Sequence, residues 1–245
     1  QAVAALTYGT DTFTKVDKLV GPGHPVVQIA KKIVFGRVDI DCIAGPSEIV
    51  VLADGTANPR HIAADMLSQA EHGSGYEAAV CITPDAELGD RVAEELQKQL
   101  ADLTHREAAE QALSRFGAIV IVDNIPEGVE LVNEIAPEHV EVVVEDAWEV
   151  QSGIRHAGAI FLGSASSEPV GDYFAGTNHI LPTAGAARYA SSVGVDTFLK
   201  DISIISYSDE RLRKSAASII QMAEAEGLDG HANAIRVRLQ TPENE

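Results

Sequence analysis

Gln69 and His72 stand three residues apart in Ser68-Gln69-Ala70-Glu71-His72-Gly73, at the end of a segment that Asn58-Pro59 opens with a capping residue and a proline. Gly73 supplies the stop, so the spacing predicts both side chains on one face of the last helical turn. An amide oxygen beside an imidazole nitrogen suits a borderline divalent ion such as zinc once a carboxylate and a second imidazole join them. Taken alone, the pair fits a helix end hydrogen-bonded to a loop equally well. Three more clusters sit at element ends: Glu138 with His139, Asp172 followed by Asn178 and His179, and Glu226 with His231. A carboxylate next to an imidazole is what a two-stage acid–base reaction needs, one group taking a proton from an alcohol and the other activating water. Each cluster singly is more often structural than catalytic.

The elements that must position these groups follow from hydrophobic periodicity. Residues 1–8 read as the end of a helix and 15–20 as a strand. Gly21-Pro22-Gly23-His24 then leads into a helix with Val26, Val27, Ile29, Ala30 and Ile33 on its apolar positions. Such a turn can present free backbone N–H groups to an anion, although GPG alone is common in ordinary turns. Strands are expected at 48–52, 78–82, 118–122, 139–144 and 159–162, with helices between them, one of them opened by Pro84 and another over 148–155. This alternation predicts an α/β fold, a Rossmann-like parallel or mixed sheet with helices on both faces, and ligands at the carboxyl ends of the strands. Residues 163–194 are rich in Gly, Ser, Ala and Thr and too long for a plain connector. Residues 196–207 return to strand character, and a helix over 208–226 with a single apolar stripe should dock on another body. Trp148 reads as a packing residue.

The 245 residues are 45% hydrophobic, enough for one large core or two smaller ones, and no apolar run reaches membrane-spanning length. A formal charge of −19 argues against nucleic acid or an anionic membrane as partner. Cys42 and Cys81 sit in apolar surroundings and read as buried free thiols in a reducing compartment, which points to the cytoplasm. Gln1 opens directly into a helical pattern, so the chain looks cut from something longer.

Several stretches together resemble the histidinol dehydrogenases: Val16-Asp17-Lys18-Leu19-Val20-Gly21-Pro22-Gly23, Ala44-Gly45-Pro46-Ser47-Glu48, Leu67-Ser68-Gln69-Ala70-Glu71-His72, Ala136-Pro137-Glu138-His139, and Gly171-Asp172-Tyr173 running on to Gly176-Thr177-Asn178-His179. Ser191-Ser192-Val193-Gly194-Val195 and the span from Glu226 to His231 extend the match over essentially the whole chain. The resemblance implies four-electron oxidation of L-histidinol to L-histidine with NAD, through an aldehyde, as the last step of histidine biosynthesis. It implies one zinc held by Gln69, His72, Asp172 and His231, His139 as the base for the alcohol proton, and Glu138 as the group that activates water. Ser47, Glu226 and His139, with the metal ligands, match substrate-contacting positions. Gln1 and His24 match NAD-contacting ones, His24 standing where the family usually carries asparagine. The family's homodimer, in which a C-terminal arm crosses to the partner, implies that Glu226 and His231 complete the other subunit's site. The division expected is 1–48 as part of an NAD-contacting domain, 49–195 as part of the main metal-bearing domain, and 196–245 as the arm.

Other readings of the same residues are a paralogue acting on a different primary alcohol such as a sulfonated diol, a metal-free NAD dehydrogenase, and a non-catalytic dimerising chain. Because relatives are longer, sheet partners are expected to be missing and edges left unpaired. The 245-residue chain alone is therefore expected to bind zinc poorly and turn over little, and robust NAD-dependent oxidation of L-histidinol by the purified chain would refute this.

Overall fold

A computed structural model describes residues 1–43 and 45–240. Ala44, within one of the motifs above, and 241–245 lie outside the described residues. Helix α1 (Ala2–Tyr8), strand β1 (Lys18–Leu19), helix α2 (Pro25–Val34) and strand β2 (Asp39–Ile40) form a small lobe in which β1 and β2 pair in parallel. Leu19, Val34 and Val38 make its core, with Val3 and Leu6 packed on them. The Gly21-Pro22-Gly23 turn is tied down from both sides. Asp41 accepts the Gly21 N–H at 2.7 Å, Lys31 Nζ donates to the Gly21 carbonyl at 2.9 Å, and the buried Lys31 and Asp41 side chains pair with each other.

The main sheet holds β3 (Glu48–Ala53), β4 (Ala78–Thr83), β5 (Gly117–Ile121), β6 (His139–Val143) and β7 (Ala159–Leu162), all parallel, in the order β5-β4-β3-β6-β7. From the central β3 the chain steps outward through α3 (Pro59–Ala70), α4 (Ala86–Leu100) and α5 (Arg106–Phe116), then returns through α6 (Ile125–Ile135) to add β6 and β7 on the other side. Ile49 and Val51 of β3 pack with Ile62, Met66, Leu88 and Val92, while the alternate residues Val50 and Leu52 pack with Val132, Val140 and Val142. With residues alternating between faces along each strand, helices cover the sheet on both sides, as the alternation of elements predicts. Asn58 caps α3 by accepting the Arg60 N–H at 3.0 Å, with Pro59 in the first turn. Asp85, not Pro84, caps α4, accepting from Leu88 at 3.1 Å.

Three expectations change. The helix expected over 148–155 is only the short α7 (Ala147–Val150) followed by a 3-10 turn, and Trp148 is 75% exposed instead of packed. The stretch 163–194 contains α8 (Glu168–Tyr173), whose start is marked by Ser167 and Pro169. Residues 196–207 form no strand: a 3-10 turn spans Val195–Phe198, and Ile202, Ile204 and Ile205 are 73–91% exposed. Their side chains have β character, but no strand among the described residues pairs with them.

Residues 1–199 form one compact unit, and the described residues from 200 to 240 belong to a second. Within the second, α9 (Asp209–Ala225) and α10 (Asp229–Leu239) pack as a helical hairpin. Its turn is closed by the Leu228 N–H on the Ala223 carbonyl at 2.8 Å, with Gly227 at φ +73°. No helix among the described residues is long and apolar enough to cross a membrane. Leu52 is fully buried between β6 and α6, so Leu52→Ala is expected to destabilise the protein by about 2–5 kcal/mol, read as a lowered urea midpoint with unchanged slope.

Candidate active site

His139 is the first residue of β6 and Glu138 the last before it. Between them and α6, Ala136 caps the helix in the left-handed region (φ 51°) and Pro137 follows. An alanine held there costs about 1–2 kcal/mol, a backbone constraint of the kind that accompanies functional turns. The start of β3 lies alongside. The Glu48 N–H donates to Glu138 Oε2 at 3.0 Å, and His139 Nδ1 sits 3.1 Å from the Glu48 carbonyl. A carbonyl only accepts, so Nδ1 carries the proton and Nε2 keeps its lone pair.

Helix α3 delivers Gln69 in its last turn, while His72 falls just beyond the capping Glu71 rather than inside the helix. The His72 ring reaches back, Nδ1 lying 3.2 Å from the Ser68 carbonyl and 3.1 Å from that of Gln69, which again leaves Nε2 available. From the other side α8 supplies Glu168 and Asp172. His24, Ser47, His72, Glu138, His139, Glu168, Asp172 and His179 all line one cavity of about 440 Å³. His139, Glu168 and Asp172 each bring a donor atom within 4.8 Å of the others, a spacing able to hold a metal ion. Gln69 is completely buried, and neither its Oε1 nor its Nε2 has a partner. An orphaned amide oxygen is costly in a packed interior. A divalent ion with amide, imidazole and carboxylate donors would satisfy it, and such donors suit zinc. Of the four ligands expected from the sequence, Asp172 is the one that belongs to the close trio, and Gln69 does not line the cavity.

The strands enter this cavity by their amino ends, not their carboxyl ends as expected from α/β folds in general. Ser47 and Glu138 precede β3 and β6, and His72, Ser74 and Glu77 lie between α3 and β4. The amino edge of a parallel sheet gathers helix C-termini, here those of α3 and α6, whose partial negative charge favours a cation over a phosphate. At the carboxyl edge the gap between β3 and β6 is bridged instead: the Asp54 N–H donates to the Val143 carbonyl at 3.3 Å and Asp54 Oδ2 accepts the Glu145 N–H at 2.8 Å.

Burial dominates the site's protonation. It pushes Glu138 up to about 8, with the nearby Glu48 and Asp172 carboxylates adding to the rise, and holds His139 down to about 4. Glu168 is pushed to about 7 by burial and by Asp172, to which it is hydrogen-bonded. At neutral pH, then, His139 is a neutral imidazole with a free Nε2, poised to accept a proton. The cavity lining pairs the carboxyls of Glu77, Glu138, Glu168 and Asp172 with four imidazoles, and no Lys or Arg is among its described residues.

Of the other residues singled out in the sequence, His24 lines the cavity, and its Nδ1 accepts the Val26 N–H at 3.3 Å as the cap of α2. Gln1 precedes α1 and is not among the lining residues. Glu226 and His231 belong to the second unit, where the α9–α10 turn presents both in exposed positions. Glu168 was legible only as the middle of Ser167-Glu168-Pro169, a helix-start signature inside a stretch that otherwise reads as loop.

Parallel strands, helices on both faces and a polar cavity rich in imidazole and carboxyl donors define an α/β protein with a metal-capable acid–base site. The histidinol dehydrogenase family model matches residues 1–239, and the chain belongs to that family. It is 54% identical over 240 residues to histidinol dehydrogenase from Halalkalibacterium halodurans, covering 98% of this chain and 56% of that protein. With the enzyme from Geobacillus kaustophilus the identity is 52% over 243 residues, 99% of this chain and 57% of that one. The crystal structure of histidinol dehydrogenase from Elizabethkingia anophelis superimposes with a TM-score of 0.88 at 41% identity, over 98% of this chain and 55% of that one. The chain thus spans little more than half the length of the relatives it matches.

Two measurements test this geometry. Gly158 leaves no room for a side chain, since a Cβ would sit 2.6 Å from the Glu138 carbonyl oxygen. Gly158→Ala is expected to cost about 1–3 kcal/mol and to displace Glu138, read as lost stability together with altered His139 NMR shifts. The second uses pH. Because the Glu138 pKa is raised on folding from its ordinary 4.5 to about 8, the stability it allows is complete below pH 4.5 and is lost as pH rises toward 8. In metal-free protein Glu138→Gln should match wild type at the acid end, gain on it steadily across that window and gain nothing further above it. A flat difference would show that the carboxyl ionises normally.

Proposed function

We propose that the protein catalyses zinc- and NAD-dependent oxidation of L-histidinol to L-histidine through the aldehyde, in the cytoplasm. The observation that carries this reading is the buried Gln69 carboxamide without partners, next to His72, in a protein whose cavity already joins Asp172 to His139 and Glu168. Gln69, His72, Asp172 and His231 would hold the ion. Zinc would anchor the substrate and polarise its oxygen, and two molecules of NAD⁺ would each take up one hydride. His139 Nε2, kept free by the Nδ1–H bond to Glu48, takes the alcohol proton. Glu138, once ionised, draws a proton from the water that hydrates the aldehyde, with Ser47 hydrogen-bonded beside it. Glu226 would pair with the substrate's ammonium group, and the acidic lining favours that cation for the same reason.

For NAD we assign Gln1 and His24. With Nδ1 occupied as an acceptor, a neutral His24 carries its proton on Nε2 and can donate as the usual asparagine amide would. The domain division at 48 and 195 goes with this assignment. We further propose a homodimer in which the arm from 196 onward crosses to the partner. Support comes from the exposed apolar run Ile202, Ile204, Ile205 and Tyr207, with Met222 on α9.

Because little turnover is expected of these 245 residues alone, the experiment is steady-state oxidation of L-histidinol by the protein at the length of its relatives, with zinc present or removed by chelation. Two NADH per histidine are expected, with activity lost on chelation and restored by zinc. His139→Gln should lower kcat by about 10²–10⁴-fold while zinc stays bound, whereas Gln69→Ala should weaken zinc binding first. Activity indifferent to chelation, or confined to another primary alcohol, would reject the assignment.

A further inference from the structure

Glu141 is a buried acid in the middle of an apolar strand, and nothing in the proposed chemistry uses it. On β6 it stands in register with Val51 on one side and Phe161 on the other, and it is 2% exposed. Placing a carboxyl there costs free energy unless its oxygens are hydrogen-bonded. They are. Oε1 accepts the N–H of Glu168, the first residue of α8, at 2.7 Å, and the carboxyl is also hydrogen-bonded to Asp65 of α3. Ser167, which precedes α8, makes no capping bond of its own, so Glu141 satisfies an N–H that the helix start would otherwise leave unpaired.

Two carboxyls can hydrogen-bond to each other only if a proton lies between them. Burial raises Asp65 as well, but it is the less buried partner, and the hydrogen bond with Glu141 lowers it while raising Glu141. Glu141 is therefore the protonated member, and burial pushes it up to about 9. The two helices it joins are those that carry the site. Asp65 lies one turn before Gln69 on α3, and Glu168 one turn before Asp172 on α8.

We propose that Glu141 is a positioning residue: as a neutral acid it donates its O–H to the Asp65 carboxylate and accepts the Glu168 N–H, tying α3 to α8 so that Gln69 and Asp172 stay aligned for one ion. The role assigned to the ion rests on the zinc reading above, but the tie between helices does not.

The test compares Glu141→Gln, Glu141→Met and Asp65→Ala in the full chain. Glutamine reproduces the neutral acid, its amide nitrogen donating to Asp65 and its oxygen accepting from Glu168, whereas methionine fills the space and does neither. Hydrogen exchange over residues 168–173 reads the tie without metal. Protection is expected to hold in Glu141→Gln and to fall in Glu141→Met. Zinc affinity by chelator competition is expected to stay within about 3-fold for glutamine and to drop roughly 10–100-fold for methionine. Unchanged protection in Glu141→Met overturns the proposal, and so does Glu141→Gln behaving like methionine, which would mean that a charged carboxylate is required. Should Glu141→Met fail to fold, Asp65→Ala carries the same test, since it removes the acceptor without overfilling the core: its protection must fall. Wild-type protein that shows the exchange pattern yet binds no zinc would sink the metal assignment and leave the tie standing.

Discussion

Buried carboxyls without a fixed cation govern this structure. Glu138, Glu168 and Asp172 line a cavity whose described walls hold no Lys or Arg, with Glu48 and Glu141 packed behind them. A buried negative charge is tolerated only when paired, hydrogen-bonded or neutralised by a proton. Backbone N–H groups satisfy some of the oxygens, as Glu48 does for Glu138 and Glu168 does for Glu141. Protons satisfy others, which is why burial raises Glu138, Glu141 and Glu168 together. The remaining negative potential is a demand for an external cation, and a divalent ion or an ammonium group meets it.

The position of the cavity on the sheet follows from the same constraint. Nucleotide-binding α/β folds place phosphates at the carboxyl edge, against helix N-termini. Here the chemistry gathers at the amino edge, where α3 and α6 end in backbone carbonyls. The His72 ring uses two of those carbonyls to fix its orientation, and His139 uses the carbonyl of Glu48 in the same way. In both rings the nitrogen left over is Nε2. A backbone acceptor thus does for each imidazole what a carboxylate does in many metal and catalytic sites, setting the tautomer before any ligand arrives.

Local order in the sequence was legible wherever a short-range signal exists. Asn58-Pro59 marked the start of α3, the apolar runs marked all five strands of the main sheet, and the strand–helix alternation marked a parallel or mixed sheet covered on both faces, which the structure resolves as parallel throughout. The readings that failed are those in which a residue's surroundings come from far along the chain. The 196–207 run has strand composition, but strand formation needs a neighbouring edge, and composition cannot supply one. Trp148 looked like core and lies outside it, because a short helix turned its apolar side chain away from the sheet.

The sequence by itself determined which groups could do chemistry: the amide–imidazole pair at 69 and 72, the acid–imidazole pair at 138 and 139, and the carboxyl at 172, each tied to an element end by cap and turn residues next to it. Only the tertiary structure decided that His72, Glu138, His139 and Asp172 share one cavity while Gln69 is buried outside its lining, that the cavity opens at the amino edge of the sheet, and that Glu141 and Glu168 belong to its supporting network. The reason is physical: caps and periodicities act over a few residues, whereas protonation and alignment here are set by burial among strands and helices tens of residues apart in the chain, and burial exists only once they have packed.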